Sequence, residues 1–312
     1  MRAEKLLNTR EISYEEWKKT RMKGIGGSDA AAIVGLNRYK SPLRVYLEKI
    51  GEAPEVEDNE RMYWGRVLES LVAKEFEKRT GKKVRRVNAI LQHPEYDFMI
   101  ANIDRRVVGE NAILECKTTS QWNEKEWKGD EVPQEYIIQV QHYMAVTGAE
   151  KAYIAVLIGG NKFLYKEIER DDELIELLIE KEKEFWKMVE NRTPPVLDGS
   201  KDAEEILKYM YPEAIEGTEI ELPEENVELI ERRKELDRQK KELETSIKAI
   251  DNRLKQLIGD NEKAKCGSYI LSYKNIKSSR FDSKKFKKEH ENLYKKYIKE
   301  SYYRKFEIKE VK

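Results

Sequence analysis

Two carboxylates and an amine stand at a spacing suited to metal-assisted hydrolysis: Asp104, then Glu115, then Lys117. Ala112-Ile113-Leu114 is a short apolar run that predicts a strand. Side chains alternate faces along a strand, so Glu115 and Lys117 share one face while Cys116 takes the other. Asp104 closes a second apolar run beginning at Phe98, and Gly109-Glu110-Asn111 reads as the turn between them. A hairpin is therefore expected to set Asp104 beside Glu115. Two clustered carboxylates make a hard oxygen site suited to Mg²⁺ or Mn²⁺. Lys117 beside it is placed to orient or deprotonate an attacking water and to stabilise charge on a phosphoryl oxygen. As an isolated string, the same residues also fit an ordinary amphipathic hairpin.

The neighbouring elements narrow the reading. Upstream, Trp64-Gly65-Arg66-Val67-Leu68-Glu69 opens a helical run carrying Leu68, Leu71, Val72 and Phe76. Glu69 sits among apolar neighbours, where a carboxylate either faces solvent or completes a metal site. Downstream, Gln139 and Tyr143 are four apart in a second helical pattern and so share a face, with Gln141 between them. Near the start of the chain, Gly24-Ile25-Gly26-Gly27-Ser28-Asp29 leads into the helical run Ala30 to Val34. Exposed amides at a helix start, with Arg21 nearby, favour an anion. Ser28 or Asp29 capping that helix is the alternative, and the two readings are compatible.

The ordered set Trp-Gly-x-x-x-Glu, Asp, Glu-x-Lys and Gln-x-x-x-Tyr falls within about eighty residues, Trp64 to Tyr143. It resembles the RecB-like branch of the PD-(D/E)XK nuclease superfamily, and more closely the YqaJ-type viral recombinase nucleases, relatives of lambda exonuclease. The stretch Trp17, Arg21, Gly24, Ser28, Asp29 matches the opening of that family, and the resemblance covers roughly residues 12 to 195. It implies an α/β fold with a restriction-endonuclease-like core, helices around a small mixed central sheet. Glu69, Asp104 and Glu115, with the backbone carbonyl of Cys116, would hold Mg²⁺ or Mn²⁺. Lys117 would act on the water and Gln139 would contact the scissile region, with Gln141 and Tyr143 as further candidates. Arg21 and Ser28 match residues that hold a terminal 5′-phosphate. Asn102-Ile103-Asp104 stands where the family has proline-aspartate, and no glycine follows the aspartate. The implied activity is a 5′-to-3′ exonuclease on linear duplex DNA, leaving 3′ single strands for a single-strand annealing protein, with a ring-type trimer as the assembly. A structure- or sequence-specific endonuclease on the same core, and a non-catalytic coiled-coil DNA-binding adaptor, are the alternatives.

Composition sets outer bounds. The 312 residues carry 60 basic and 60 acidic side chains, so net charge argues neither for nor against nucleic acid. Distribution says more: from Lys263 to Lys312 there are 16 Lys or Arg against 6 Asp or Glu, a local balance of +10. Two cysteines, Cys116 and Cys266, are too few for a four-cysteine iron-sulfur cluster or a zinc ribbon. They suggest no disulfide framework, and with no apolar run near eighteen residues and no signal peptide the expectation is a cytoplasmic protein without a membrane span. His93, His142 and His290 form no paired metal motif, and no Gly-x-x-x-x-Gly-Lys-Ser/Thr occurs.

The organisation divides near residue 200. Residues 1–198 read as the nuclease domain, 199–221 as a linker after Thr193-Pro194-Pro195, 222–258 as a long helix, and 259–312 as a small basic α+β module. Strands are expected around Val84 to Leu91, Phe98 to Asp104, Asn111 to Thr118, Lys151 to Ile158 and Phe163 to Ile168. In the long helix, Leu229, Leu236, Leu243, Ile250 and Leu257 recur every seven residues, with Ile247 and Leu254 adding a second register. A coiled coil and a single helix laid on a neighbour both fit. The terminal module mixes lysines with Tyr294 and Tyr297, which suits DNA backbone contact or a solvated face, and a short strand is expected from Arg304 to Val311.

Overall fold

The computed structural model describes residues 3–10 and 12–310, and they divide into two compact units, up to Tyr211 and from Pro212 onward. The first unit contains β1 Glu4–Asn8, α1 Tyr14–Met22, α2 Gly27–Ile33, α3 Pro42–Ile50, α4 Glu60–Thr80, β2 Val84–Arg86, β3 Ala89–Gln92, β4 Ile100–Ala101, β5 Arg105–Val107 and β6 Ala112–Thr119. A 3₁₀ turn at Gln121–Trp127 follows, then α5 Gln134–Thr147, β7 Lys151–Ile158, β8 Lys162–Glu169, α6 Asp172–Glu190 and α7 Lys201–Met210. Five strands form the central sheet in the order β2-β5-β6-β7-β8, while β1, β3 and β4 form a smaller one.

All pairings in the central sheet are antiparallel except β6 with β7, where Glu115 lies opposite Ile154 and Lys117 opposite Val156. A parallel pair needs a crossover, and α5 supplies it. The alternation of β6 sorts its side chains between two layers. Ile113 joins the core shared with α2, α5 and α6, whereas Ala112 and Leu114 pack on Val72, Ala73 and Phe76 of α4. This α/β/α sandwich is the expected fold class.

Helix ends follow local chemistry. Asn59 caps α4 by accepting from the Met62 amide, one turn before the apolar periodicity begins, and Gly81 ends it at φ 74°. The expected strand Val84 to Leu91 is split between the two sheets. The expected strand Phe98 to Asp104 is reduced to Ile100–Ala101, and the arm of the hairpin opposite β6 is Arg105–Val107, immediately after Asp104. Residues 199–221, expected as a linker, contain α7, whose Asp202 accepts from the Ser41 amide and hydroxyl and from Arg44 Nε, at 2.8, 2.7 and 2.5 Å. Ile206 is fully buried in the first unit's core, so that unit runs past the expected boundary at 198 to Tyr211.

The second unit begins with α8 Val227–Ile258 and continues through β9 Lys263–Cys266, β10 Tyr269–Ser272, α9 Ser283–Glu289 and α10 Glu291–Tyr297. Gly267, at φ 57°, makes the turn that joins β9 and β10 as an antiparallel hairpin. Residues 304–310 form no strand, and Val311 lies outside the described residues. Among the described residues, no helix is long and apolar enough to cross a membrane.

Candidate active site

Asp104 precedes β5 and Glu115 lies on β6, and the pairing of Arg105 with Leu114 brings the two carboxylates across from one another. One Asp104 oxygen accepts from the Cys116 amide at 2.8 Å, which locks the side chain against the strand edge. On the same face of β6, Lys117 Nζ donates to Glu115 Oε1 at 2.8 Å and to Gln139 Oε1 at 2.9 Å, and its ammonium lies 4.8 Å from the Tyr136 ring centroid. Gln139 also donates through Nε2 to Glu115 Oε1 at 2.7 Å. Glu115 and Gln139 are buried, so these contacts form with little competition from water. The face-sharing of Glu115 and Lys117, the approach of Asp104, and the reach of Gln139 are thus all present.

The electrostatics separate the roles of these groups. Burial, then the Glu115 and Glu69 carboxylates, push the Asp104 carboxyl well above its ordinary range. Burial opposes charge on Lys117, but Glu115 and Asp104 outweigh it and hold the ammonium above the usual lysine value. With these carboxylates unneutralised, Lys117 is held as an ammonium that donates to Glu115 and Gln139. Glu115 Oε2 is buried without a hydrogen-bond partner. An orphaned carboxylate oxygen beside a second carboxylate that resists ionisation is the pattern expected of residues that fit a hard divalent cation.

Glu69 lies in the same cleft, of about 780 Å³, together with Asp104, Glu115 and Lys117. Its Oε1, however, accepts from Arg105 Nη1 at 2.5 Å and from Arg86 Nη2 at 3.4 Å. Consequently no three His, Cys, Asp or Glu side chains among the described residues converge as a ready cation cage. Asp104 and Glu115 form the close pair, and Glu69 is held beside them by a buried arginine. Sequence reasoning did not find Arg105. Its one signal is that it stands directly after Asp104, where a glycine was expected.

Helix α5 links this cleft to the glycine-rich segment. Gln139 Nε2 also contacts Tyr143 Oη, at 3.2 Å. Tyr143 in turn lines a small cavity, about 60 Å³, with Arg21, Gly26, Ser28 and Asn102. Gly27 permits the approach of α2 to α5: a Cβ there would lie 2.7 Å from the Tyr143 ring and 2.9 Å from the Gln139 carbonyl oxygen. Arg21 Nη2 pairs with Asp29 at 3.1 Å, and its guanidinium lies 5.1 Å from the Trp17 ring centroid. Asp29 is the capping group, accepting from the Gly26 amide at 3.1 Å, while Ser28 lines the cavity. Asp29 is fully buried and also binds Lys40 and Lys49, at 2.7 and 2.6 Å, a cluster with no signature in the sequence. Burial opposes its charge, but Lys40, Lys49 and Arg21 together hold the carboxyl well below its usual range. Gln141 does not join either site: its Nε2 donates to the Glu169 carbonyl and its Oε1 accepts from the Asp171 amide, tying α5 to the start of α6.

The sequence of residues 16–150 matches the family model described as the YqaJ-like viral recombinase domain. Over 314 aligned positions the chain is 50% identical to the uncharacterized protein YqaJ of Bacillus subtilis strain 168, spanning 99% of this chain and 98% of that one. The chain belongs to the YqaJ family. This places it in the lambda-exonuclease-like group of the PD-(D/E)XK superfamily. Among solved structures, the alkaline exonuclease LHK-Exo from Laribacter hongkongensis matches with a TM-score of 0.50 and 22% identity, over 63% of this chain and 97% of the exonuclease. The same enzyme in complex with dAMP matches with a TM-score of 0.50 and 24% identity over the same shares. This YqaJ-family chain therefore carries an exonuclease fold, with additional residues beyond the matched share.

Proposed function

We propose that this chain is a divalent-metal-dependent deoxyribonuclease that degrades linear duplex DNA from its 5′ ends. The carrying observation is the meeting of Asp104, Glu115, Lys117 and Gln139 at one end of β6, with one Glu115 oxygen left unpartnered. Asp104 and Glu115 would hold Mg²⁺ or Mn²⁺, with the Cys116 carbonyl and, on release from Arg105, Glu69 as further oxygen donors. Bound there, the cation supplies Lewis-acid stabilisation and a more acidic water.

The protein's own groups supply the rest. Lys117, as an ammonium, orients the water and stabilises charge on the phosphoryl oxygens. Gln139 fixes Glu115 and Lys117 relative to each other. Water loses a proton to solvent as its oxygen bonds to the scissile phosphorus, and the bond from phosphorus to the 3′ oxygen breaks, that oxygen taking up a proton from solvent. The released piece then ends in a 3′-hydroxyl, and the remaining strand carries a new 5′-phosphate. Arg21 and Ser28 suit that phosphate, so each cut would regenerate the group they bind. By family resemblance, the 3′ single strand passes to a single-strand annealing protein, and the working assembly is a ring-type trimer.

Incubation with Mg²⁺ and three duplexes tests this reading: linear with 5′-phosphate, linear with 5′-hydroxyl, and covalently closed circular. Fastest loss of the 5′-phosphorylated strand, with circles intact, is expected. Cleavage of circles would make the chain an endonuclease, and no cleavage of any substrate would leave a binding protein.

A further inference from the structure

Helix α1 ends at Met22, and the last carbonyls of a helix have no amide of their own helix to accept from. The Arg21 carbonyl is one of these, and it accepts from Lys49 Nζ of α3 at 3.0 Å. The same ammonium donates to Asp29 Oδ2 at 2.6 Å, and Asp29 Oδ2 accepts from Arg21 Nη2 at 3.1 Å. One lysine thus ties both the main chain of Arg21 and the carboxylate that holds its guanidinium. The Lys49 side chain is only 2% exposed. A neutral donor would serve to cap a helix, and burying an ammonium is costly, so the charge itself calls for an explanation.

The surrounding charges point to an anion. Arg21, Lys40 and Lys49 all meet on Asp29, and Lys40 also pairs with Glu48, so three cations face two carboxylates. The excess lies beside the small cavity lined by Arg21, Gly26, Ser28 and Asn102. Burial lowers the Lys49 ammonium to about 8, with Asp29 opposing the shift and Arg21 and Lys40 adding to it. An anion in the cavity would relieve that repulsion. Of the three cations, Arg21 is the one that lines the cavity. Gly26 lets it lie close to the loop, since a Cβ there would stand 3.3 Å from Arg21 Nη2. The bond to Asp29 takes one of the several N–H groups of the guanidinium, and others remain for a ligand.

We propose that Lys49 is a positioning residue for recognition of a 5′-phosphate. By holding the carbonyl of Arg21 directly and its guanidinium through Asp29, it fixes one orientation of Arg21 toward the cavity and so selects phosphorylated ends over hydroxyl ends. This rests on the reading of that cavity as the 5′-phosphate site. Released from Lys49, the end of α1 has a wider set of positions, and Arg21 meets a phosphate in only some of them. The loss is therefore one of end binding rather than of the chemical step.

Lys49→Met keeps an apolar stem and removes the ammonium, while Asp29 retains Lys40 and Arg21. Linear duplexes carry a fluorescent base at the terminal nucleotide and either a 5′-phosphate or a 5′-hydroxyl, so that single-turnover release with Mg²⁺ reads the first cut alone. The wild-type chain should half-saturate at a concentration at least about tenfold lower on phosphorylated ends. In Lys49→Met that preference should shrink at least about fivefold, through weaker half-saturation on phosphorylated ends, with the limiting rate changed by less than about twofold. Retained preference would leave Lys49 as a cap of α1, and an equal loss of limiting rate on both ends would make it a general support of the fold; either overturns the proposal. Lys49→Gln, which keeps a donor of shorter reach, takes over if circular dichroism shows Lys49→Met unfolded, and failure of both to fold overturns the proposal as well. Arg21→Ala, run alongside, separates the two readings. If it abolishes a wild-type preference that Lys49→Met keeps, only the role of Lys49 falls. Absence of cleavage or of preference in the wild-type chain removes the 5′-phosphate reading and this proposal together.

Discussion

Arg105 Nη1 donates to Glu69 Oε1 across 36 positions of sequence, at 2.5 Å, from a side chain that is almost wholly buried. The guanidinium occupies one oxygen of a carboxylate that lines the same cleft as Asp104 and Glu115. Replacing Arg105 with alanine should cost about 2 kcal/mol of stability, as expected for a charged hydrogen bond lost at a partly buried site. It should also raise divalent-cation affinity by at least about tenfold, because a fixed positive charge leaves the carboxylate cluster. Calorimetric titration with Ca²⁺ measures this directly; unchanged affinity would mean that Arg105 does not compete for Glu69.

On the proposed reading, Lys117→Ala and Asp104→Ala should each lower DNA hydrolysis by about a thousandfold or more while the protein stays folded, since charge stabilisation and cation binding would act together at this site. Turnover of a linear duplex, beside a circular dichroism spectrum, checks both statements. Near wild-type cleavage by either variant would remove these residues from the catalytic machinery.

Arg21→Ala should slow degradation of 5′-phosphorylated ends roughly tenfold more than that of 5′-hydroxyl ends, since the proposed charge-assisted contact to the phosphate would be lost. Asp29 keeps Lys40 and Lys49 in this variant, so the fold has no reason to fail. Equal slowing on the two substrates would reduce Arg21 to a structural partner of Asp29.

The Asp29 carboxyl is held well below its ordinary range by Lys40, Lys49 and Arg21, against the opposing effect of burial. A carboxylate depressed in the folded state stabilises it fully above the unfolded value, near pH 4, and loses that contribution as pH falls toward the folded value. Asp29→Asn should therefore cost roughly 3–5 kcal/mol at pH 7, the usual penalty for leaving buried charges unpaired. The gap should narrow below about pH 4. Urea unfolding of both proteins at pH 7 and pH 3 gives the comparison, and a gap that does not shrink in acid would contradict the assignment.

Removing residues from Glu219 onward should leave a soluble unit that still hydrolyses DNA with Mg²⁺, because every candidate site residue and the whole first unit precede Pro212. DNA affinity should fall and its salt dependence flatten, as the +10 excess after Lys263 is lost. Filter binding across a salt series will show it. An unchanged slope would mean that the terminal lysines and tyrosines serve another partner.

Where the chain has a clean period, the fold could be read directly. Strand β6 announced the face shared by Glu115 and Lys117, and α5 announced that of Gln139 and Tyr143. Arg105–Val107 was missed as a strand because its consecutive arginines carry no apolar alternation, and Arg105 is buried through an ion pair rather than by apolarity. Helix α7 was hidden by the flanking Pro194, Pro195, Gly199 and Pro212, and is anchored by Asp202, whose partners lie about 160 positions away. The position of Glu69 depends on a contact 36 positions away, with Arg105. Local pattern carries no record of such partners.

From Ile138 to Thr147, α5 has no face open to water, and Gly27 lets α2 lie directly against it. The wall shared by the carboxylate cleft and the Arg21 cavity is therefore closely packed, and Gln139 and Tyr143 stand about 6 Å apart along it, one turn of helix. On the proposed reading, a strand whose 5′-phosphate sat in the Arg21 cavity would meet the carboxylate pair at a distance that α5 fixes.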